Sequence, residues 1–131
     1  MKSLLLDLIG FDVITRMEEN FIRSIEVTET SDYSAVVEVV ILVNEKLGWA
    51  LTEFDREHNA FFGLADLGCP ELGYIALFDL ESLFHENTMY ATTVSLTGKH
   101  KVRLVELHEK TRGIGSLAKA WMDLISGAKI S

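Results

Sequence analysis

The sequence predicts one mixed α+β domain, in which a mostly antiparallel sheet of four to six strands packs against helices. Three observations lead to this class. The chain has 131 residues, a common size for one domain. Its middle holds closely spaced apolar segments of strand-like character, and helical spacing recurs towards both ends. The sequence contains no internal repeat and no flexible linker, so we expect residues 1–131 to form a single domain.

Five strands are predicted from β-branched and aromatic residues and from period-two alternation. They are residues 33–43, 48–54, 60–65, 74–77 and 89–96. Short polar segments separate the first three strands, which predicts an antiparallel meander. Gly63 inside the third strand predicts a bulge or a close approach of two backbones. The proline and glycines of residues 68–73 predict a turn, with a positive φ at Gly73.

Helices are predicted from apolar side chains that recur at helical spacing. They are residues 11–23 with Asp12 as N-cap, residues 79–85, and a last helix that follows Ser116. Ser116 is the predicted N-cap of the last helix, Trp121 lies on its apolar face, and Gly127 is predicted to end it. Residues 101–108 fit a strand or a helix equally well. We expect the three helices to cover one side of the sheet.

Charge is distributed unevenly along the chain. The net charge is -8, yet residues 1–98 hold 17 acidic and 5 basic side chains, whereas residues 99–131 hold 3 acidic and 7 basic ones. No lysine or arginine occurs between Arg56 and Lys99. Such halves either neutralise each other within the fold or form two surfaces of opposite sign.

Composition predicts a cytoplasmic protein. Cys69 is the single cysteine, which excludes an intramolecular disulfide and a zinc site of several thiolates. Asp7 and Asp12 interrupt the apolar N-terminal run, so it does not resemble a secretion signal. No segment has the ~18 uninterrupted apolar residues of a membrane span. We expect no cofactor and no membrane partner.

Residues 47–83 carry the most distinctive pattern. Four blocks follow one another: a Trp49 strand that ends in Thr52-Glu53-Phe54-Asp55, then Phe61-Phe62-Gly63-Leu64, then Pro70-Glu71-Leu72-Gly73-Tyr74, then Leu80-Glu81-Ser82-Leu83. In this order and spacing they resemble a family known only as a domain of unknown function, numbered twenty-nine fifty-eight. The resemblance implies a small protein carried on plasmids, phages and other mobile elements, without an agreed activity. The flanking segments depart from that family's pattern.

Five carboxylates at predicted strand ends and turns are expected to form an acidic face that binds a partner. They are Glu53, Asp55, Asp66, Glu71 and Glu81. Converging carboxylates could instead bind a divalent cation or act as an acid–base pair, although their spacing matches no known metal-binding loop. We therefore expect neither a metal site nor catalytic residues.

Basic residues near the C-terminus are candidate contacts for nucleic acid or for an acidic partner. They are Lys101, Arg103, Arg112 and Lys119. The interleaved aromatic residues that would stack on bases are missing from this segment. The glycines and hydroxyls of residues 111–116 lack the pattern of a phosphate loop and are expected to form a turn and an N-cap.

Three functions remain open from the sequence. The favoured one is a non-enzymatic protein-interaction module, encoded by a mobile element, whose acidic face inhibits a bacterial defence system as an anti-CRISPR or anti-restriction protein. The first alternative is a small carboxylate- or metal-dependent enzyme. The second is a nucleic-acid binder that acts through the basic C-terminal residues. Exposed apolar side chains and the Trp121 helix also allow a homodimer.

Overall fold

A five-stranded antiparallel sheet forms the centre of the computed structural model, which describes residues 4–28, 35–86, 93–96 and 101–130. The strands are β1 (Val39–Asn44), β2 (Leu47–Asp55), β3 (Ala60–Asp66), β4 (Pro70–Ala76) and β5 (Thr93–Leu96). Their order across the sheet is β4-β3-β2-β1-β5, and every neighbouring pair is antiparallel. The predicted α+β class and its antiparallel meander are confirmed.

Five helices surround the sheet in the described residues. They are α1 (Leu4–Ile9), α2 (Phe11–Thr28), α3 (Leu77–Glu86), α4 (Leu104–Ile114) and α5 (Leu117–Ile130). Gly10 separates α1 from α2 with a φ of 98°, a left-handed conformation that favours glycine. Asp12 therefore lies inside the first turn of α2 and is not its N-cap. No helix in the described part of the chain combines the length and the apolar character needed to cross a membrane.

The helices cover both faces of the sheet, so the expectation that they cover one side is wrong. On one face, α1, α2 and α3 enclose the first core, which includes Met17, Ile41, Trp49, Phe61 and Leu80. On the other face, α4 and α5 enclose the second core, which includes Val40, Phe62, Leu64, Leu107 and Trp121. Phe61 and Phe62 are adjacent in β3 and supply one core each, because successive strand side chains point to opposite faces.

A β-bulge in β2 decides which side chains reach the first core. The β2–β3 register shifts between Leu51 and Glu53, where one extra residue is inserted. Regular alternation would place Leu51 and Phe54 on opposite faces, since they are three positions apart. The inserted residue brings both into the first core, where the Phe54 ring lies 4.7 Å from that of Phe61.

Several predicted boundaries differ from the structure. β1 begins at Val39, and residues 33, 34 and 89–92 of two predicted strands lie outside the described residues. β4 begins at Pro70, so Gly73 lies within a strand without a positive φ, and the predicted turn is shorter. Residues 101–108 lead into α4, a helix. Gly127 lies inside α5, which continues to Ile130.

Candidate functional site

Two of the five carboxylates predicted to form an acidic face are buried. Glu53 is 0% exposed and Asp66 is 1% exposed, so neither contributes to the surface. Asp55 and Glu81 are partly exposed, and Glu71 is exposed. The accessible part of the predicted face therefore consists of Asp55, Glu71 and Glu81.

Asp66 stabilises the start of the last helix. Its Oδ2 accepts a hydrogen bond of 2.9 Å from the Leu117 backbone N–H, and its Oδ1 accepts one of 3.1 Å from Gly68. Ser116 caps the same helix as predicted, because its Oγ accepts the Lys119 N–H at 3.2 Å. The Ser116 hydroxyl also donates to the Glu45 carbonyl oxygen at 2.8 Å. Asp66 and Ser116 thus attach α5 to the end of β3 and to the β1–β2 turn.

Glu53 lies in a polar layer between α2 and the sheet. The Ser24 hydroxyl donates to Glu53 Oε2 at 3.2 Å. In the same layer the buried Glu38 accepts hydrogen bonds from Arg16 Nε at 2.9 Å and from Asn20 Nδ2 at 3.2 Å. Our sequence analysis missed this layer, because a carboxylate buried in a strand looks no different in sequence from an exposed one. Its contacts explain Glu53 as a structural residue.

Asp55 lies at the β2–β3 turn and is paired with His58. Its Oδ2 is 2.7 Å from His58 Nδ1, and its Oδ1 accepts the His58 backbone N–H at 3.3 Å. The hydrogen bond and the charge of Asp55 raise the pKa of His58 above its usual value. Next to this pair, Arg56 makes two hydrogen bonds to Glu18, which lower the pKa of the Glu18 carboxyl. The turn therefore holds one local pair, Asp55 with His58, and one ion pair, Arg56 with Glu18, that connects it to α2.

Glu71 and Glu81 lie on the two elements nearest one edge of the sheet. Glu71 belongs to β4, the edge strand, and Glu81 belongs to α3, which follows β4 directly and contacts it. Asp79, in the first turn of α3, is an exposed carboxylate that our sequence analysis did not single out. No lysine or arginine occurs between Arg56 and Lys99, so no cation from this stretch neutralises these groups. We name Glu71, Asp79 and Glu81 the acidic edge.

The carboxylates at the two ends of β3 lie far apart, and the described residues form no metal-binding group. Asp55 is paired with Ala60 at the beginning of β3, whereas Asp66 ends the same strand. Six residues of strand separate these two positions by roughly 20 Å. Within residues 4–28, 35–86, 93–96 and 101–130, no group of three His, Cys, Asp or Glu side chains is arranged to hold a metal ion.

The four basic candidates are dispersed. Lys101 and Arg103 precede α4, whereas Arg112 lies in its last turn. Nine residues of helix place Arg112 about half a turn round the axis from Arg103 and roughly 13 Å along it. Lys119 lies in α5, and its Nζ is 3.7 Å from Glu45 Oε2. A few C-terminal cations therefore pair with the chain's own carboxylates, as Lys110 also does with Asp123.

Other sequence candidates have structural roles. Gly115 ends α4 in a left-handed conformation with a φ of 90°, and its N–H donates to the Thr111 carbonyl. Residues 111–116 thus form the expected turn and N-cap. Burial and the neighbouring Arg112 charge lower the pKa of His108. Trp121 is buried in the second core, so its ring is not an exposed dimer contact.

Comparison with known proteins identifies a family and no activity. The sequence profile of DUF2958, described as a protein of unknown function, matches residues 8–116. No curated protein and no solved structure matches the chain significantly. The matched region contains α2 and β1, so the expectation that the N-terminal flank departs from the family pattern is wrong, whereas α5 lies outside the match. Because the match covers most of the chain, this protein belongs to the DUF2958 family.

Proposed function

We propose that this protein is a non-enzymatic interaction module, encoded by a mobile element, that inhibits a bacterial defence system. An anti-CRISPR or anti-restriction activity is the specific form of the proposal. The acidic edge, Glu71 with Asp79 and Glu81, would bind a basic surface of a nucleic-acid-handling protein. Asp55 remains a predicted contact for the same partner, although its carboxylate is already paired with His58.

The observation that carries this proposal is a continuous stretch of chain without lysine or arginine. Residues 57–98 contain six carboxylates and no lysine or arginine. Two exposed members of the stretch, Glu71 and Asp79, lie on β4 and α3, which contact each other. Such a surface attracts basic partners and accelerates their association. Proteins that handle DNA carry basic surfaces because they contact phosphates, so they present the complementary charge.

The positions of the carboxylates favour binding over catalysis. Acid–base catalysis needs two groups that reach the same reacting atoms, each within about 3 Å. Asp55 and Asp66 lie at opposite ends of β3, and Asp66 is occupied by two backbone N–H groups. Glu53 is enclosed between α2 and the sheet. A surface of separate carboxylates suits recognition of a large basic partner better than attack on a small substrate.

A defence-nuclease assay with two charge-reversal variants tests the proposal. The first variant replaces the acidic edge, as Glu71→Lys, Asp79→Lys and Glu81→Lys. The second carries the same change in net charge on exposed helix positions elsewhere, as Glu19→Lys, Glu26→Lys and Glu109→Lys. Both are mixed with purified CRISPR and restriction nucleases, and DNA binding and cleavage are measured.

We expect the unmodified protein and the second variant to inhibit at least one nuclease, and the acidic-edge variant to lose inhibition. Equal loss in both variants would show that total charge, not the acidic edge, is responsible. Full activity of every nuclease in the presence of the unmodified protein would contradict the proposed function.

A further inference from the structure

β4 is a long edge strand with one paired side in the described sheet. It runs for seven residues and pairs with β3 from Pro70 opposite Asp66 to Ala76 opposite Ala60. Its other side is the edge of the sheet. The opposite edge is β5, a strand of four residues. β4 therefore presents the longer row of outward-facing backbone N–H and C=O groups.

β4 lacks most of the features that usually protect an exposed edge. Natural edge strands are short, carry charged side chains (above all lysine) or proline, contain a bulge that twists the edge away, or are covered by a helix or loop. β4 contains no lysine, and its pairing with β3 shows no shift of register. Its one proline is its first residue, which leaves the rest of the strand regular. A Cβ at Gly73 would meet nothing within 4 Å, so the sheet face beside the middle of β4 is open.

The two faces of β4 differ in chemistry. On the face of the second core, Leu72 packs against that core and the Tyr74 ring lies 5.2 Å from Phe62, while Tyr74 is still 55% exposed. On the face of the first core lie Glu71 and the partly buried Ile75. Glu71 and Ile75 therefore lie on the side of the sheet that α3 covers. The three carboxylates of the acidic edge are all on this side.

We propose that β4 accepts an extended segment of a basic partner as a sixth strand of the sheet. Alternate side chains of that segment would be apolar, beside Leu72 and Tyr74, and basic, beside Glu71 and the α3 carboxylates. The partner backbone would form hydrogen bonds with outward-facing N–H and C=O groups of β4. This inference rests on the proposed function, for which it specifies the mode of binding and the pattern of the bound segment.

The negative charge of the acidic edge favours a basic partner segment over a second copy of this chain as the strand that pairs with β4. Two copies joined through β4 would bring two acidic edges together, and residues 57–98 of neither copy offer a cation. Like charges across paired strands are destabilising. A segment that alternates lysine or arginine with apolar residues gains opposite-charge pairs on one face and apolar contacts on the other. Because Glu71 is near the start of β4 and Asp79 follows its end, a segment as long as β4 reaches both.

Titration with a model peptide tests the strand addition. The probe is an eight-residue peptide of alternating lysine and valine, blocked at both termini and added to isotope-labelled protein. The control is the same peptide with every backbone amide N-methylated, which keeps the charge and the side chains but removes all backbone N–H donors. We expect the first peptide to shift the β4 amide signals and to slow hydrogen exchange in β4, and the control to bind at least about tenfold more weakly.

Two single charge-reversal variants test whether the lysine–valine peptide binds at β4. Glu71→Lys should weaken the affinity for the lysine–valine peptide by about threefold to tenfold, because one opposite-charge cross-strand pair becomes a like-charge pair. Glu19→Lys in α2 makes the same charge change away from β4 and should alter the affinity less than twofold. Urea denaturation of both variants checks that they fold like the unmodified protein.

The peptide titration and the nuclease assay can fail independently, so they test strand addition to β4 and the proposed inhibition of nucleases separately. Equal binding of the two peptides, or slowed exchange confined to elements other than β4, would overturn strand addition. The nuclease assay could still succeed in that case, because binding to the acidic edge would then not need backbone pairing. Nuclease inhibition that survives Glu71→Lys together with Tyr74→Lys would also overturn the assignment to β4.

Discussion

Replacing Gly63 by alanine adds one methyl group where β3 lies closest to β2. A Cβ built on Gly63 would lie 2.0 Å from the Ala50 carbonyl oxygen and 2.9 Å from Leu51 Cα. Ordinary van der Waals contact begins near 3.4 Å. Both neighbours are backbone atoms of a central strand, so no side-chain rotation can make room.

The size of the destabilisation follows from the backbone movement that the added methyl group requires. Relief of the contact requires β2 and β3 to separate by roughly 1 Å, which stretches hydrogen bonds well beyond their usual 2.7–3.2 Å. Each buried backbone group left unsatisfied costs about 1–3 kcal/mol. Loss of two such bonds beside the Leu51–Gly63 pair predicts a decrease of about 3–5 kcal/mol in the free energy of unfolding. That is a large fraction of the ~5–15 kcal/mol expected for a domain.

Urea denaturation followed by circular dichroism measures this loss, and Gly73 provides the matched control. Gly73 lies opposite Gly63 in the β3–β4 pair, and a Cβ there would meet nothing within 4 Å. Gly73→Ala should therefore leave the stability within about 1 kcal/mol of the unmodified protein, or raise it slightly. With a slope of ~2 kcal/mol per molar urea, Gly63→Ala should lower the midpoint by about 1.5–2.5 M. Equal effects of the two substitutions would refute the close approach of β2 and β3.

Three further predictions test other features. Asp66→Ala should lower the free energy of unfolding by about 2–4 kcal/mol, since Leu117 and Gly68 lose their acceptor, whereas Asp66→Asn should cost less; urea denaturation distinguishes them. Thr111→Val should raise Tm by roughly 3–6 °C in calorimetry, because the buried Thr111 hydroxyl has no hydrogen-bond partner within the described residues. Asp55→Asn should lower the pKa of His58 towards 6.5 in an NMR titration. Because that pKa is raised in the folded state, the pair's contribution to stability is complete below pH ~6.5 and disappears as the pH rises through the raised pKa; an unchanged His58 titration would contradict it.

The meander and the last helix were predictable because they depend on local patterns. Residues 48–54 and 60–65 alternate in the manner of strands, and both strands lie within one residue of the predicted bounds at either end. Ser116 lies just before an apolar helical stripe, which predicted it as the N-cap of α5, and its hydroxyl does cap that helix. Gly63 marked a close backbone approach, as an isolated strand glycine often does.

The predictions that were wrong mostly depend on contacts between residues that are far apart in sequence. Asp66 resembles a solvent-exposed strand-end carboxylate, and its partner Leu117 is 51 positions away in sequence. Strict alternation would place Phe54 on the face opposite Leu51, and the inserted residue of the β2 bulge leaves no local signal. β4 was placed too late in the chain, since proline and glycine usually mark turns, although both fit an edge strand. Apolar side chains on both faces of the sheet indicate that both faces must be covered, and the expectation that the helices cover one side overlooked this signal.

The division of the protein into two cores has a consequence for its synthesis. The meander of β1 to β4 and the helices of the first core are complete in residues 4–86, whereas α4 and α5, which cover the second core, end at Ile130. At about 5–20 residues per second, translation of residues 87–130 takes roughly 2–9 s. During that time Val40, Phe62 and Leu64 form an uncovered apolar sheet face on the nascent chain. A ribosome stalled before α5 would therefore hold a chain with an uncovered apolar sheet face, which recruits chaperones or aggregates.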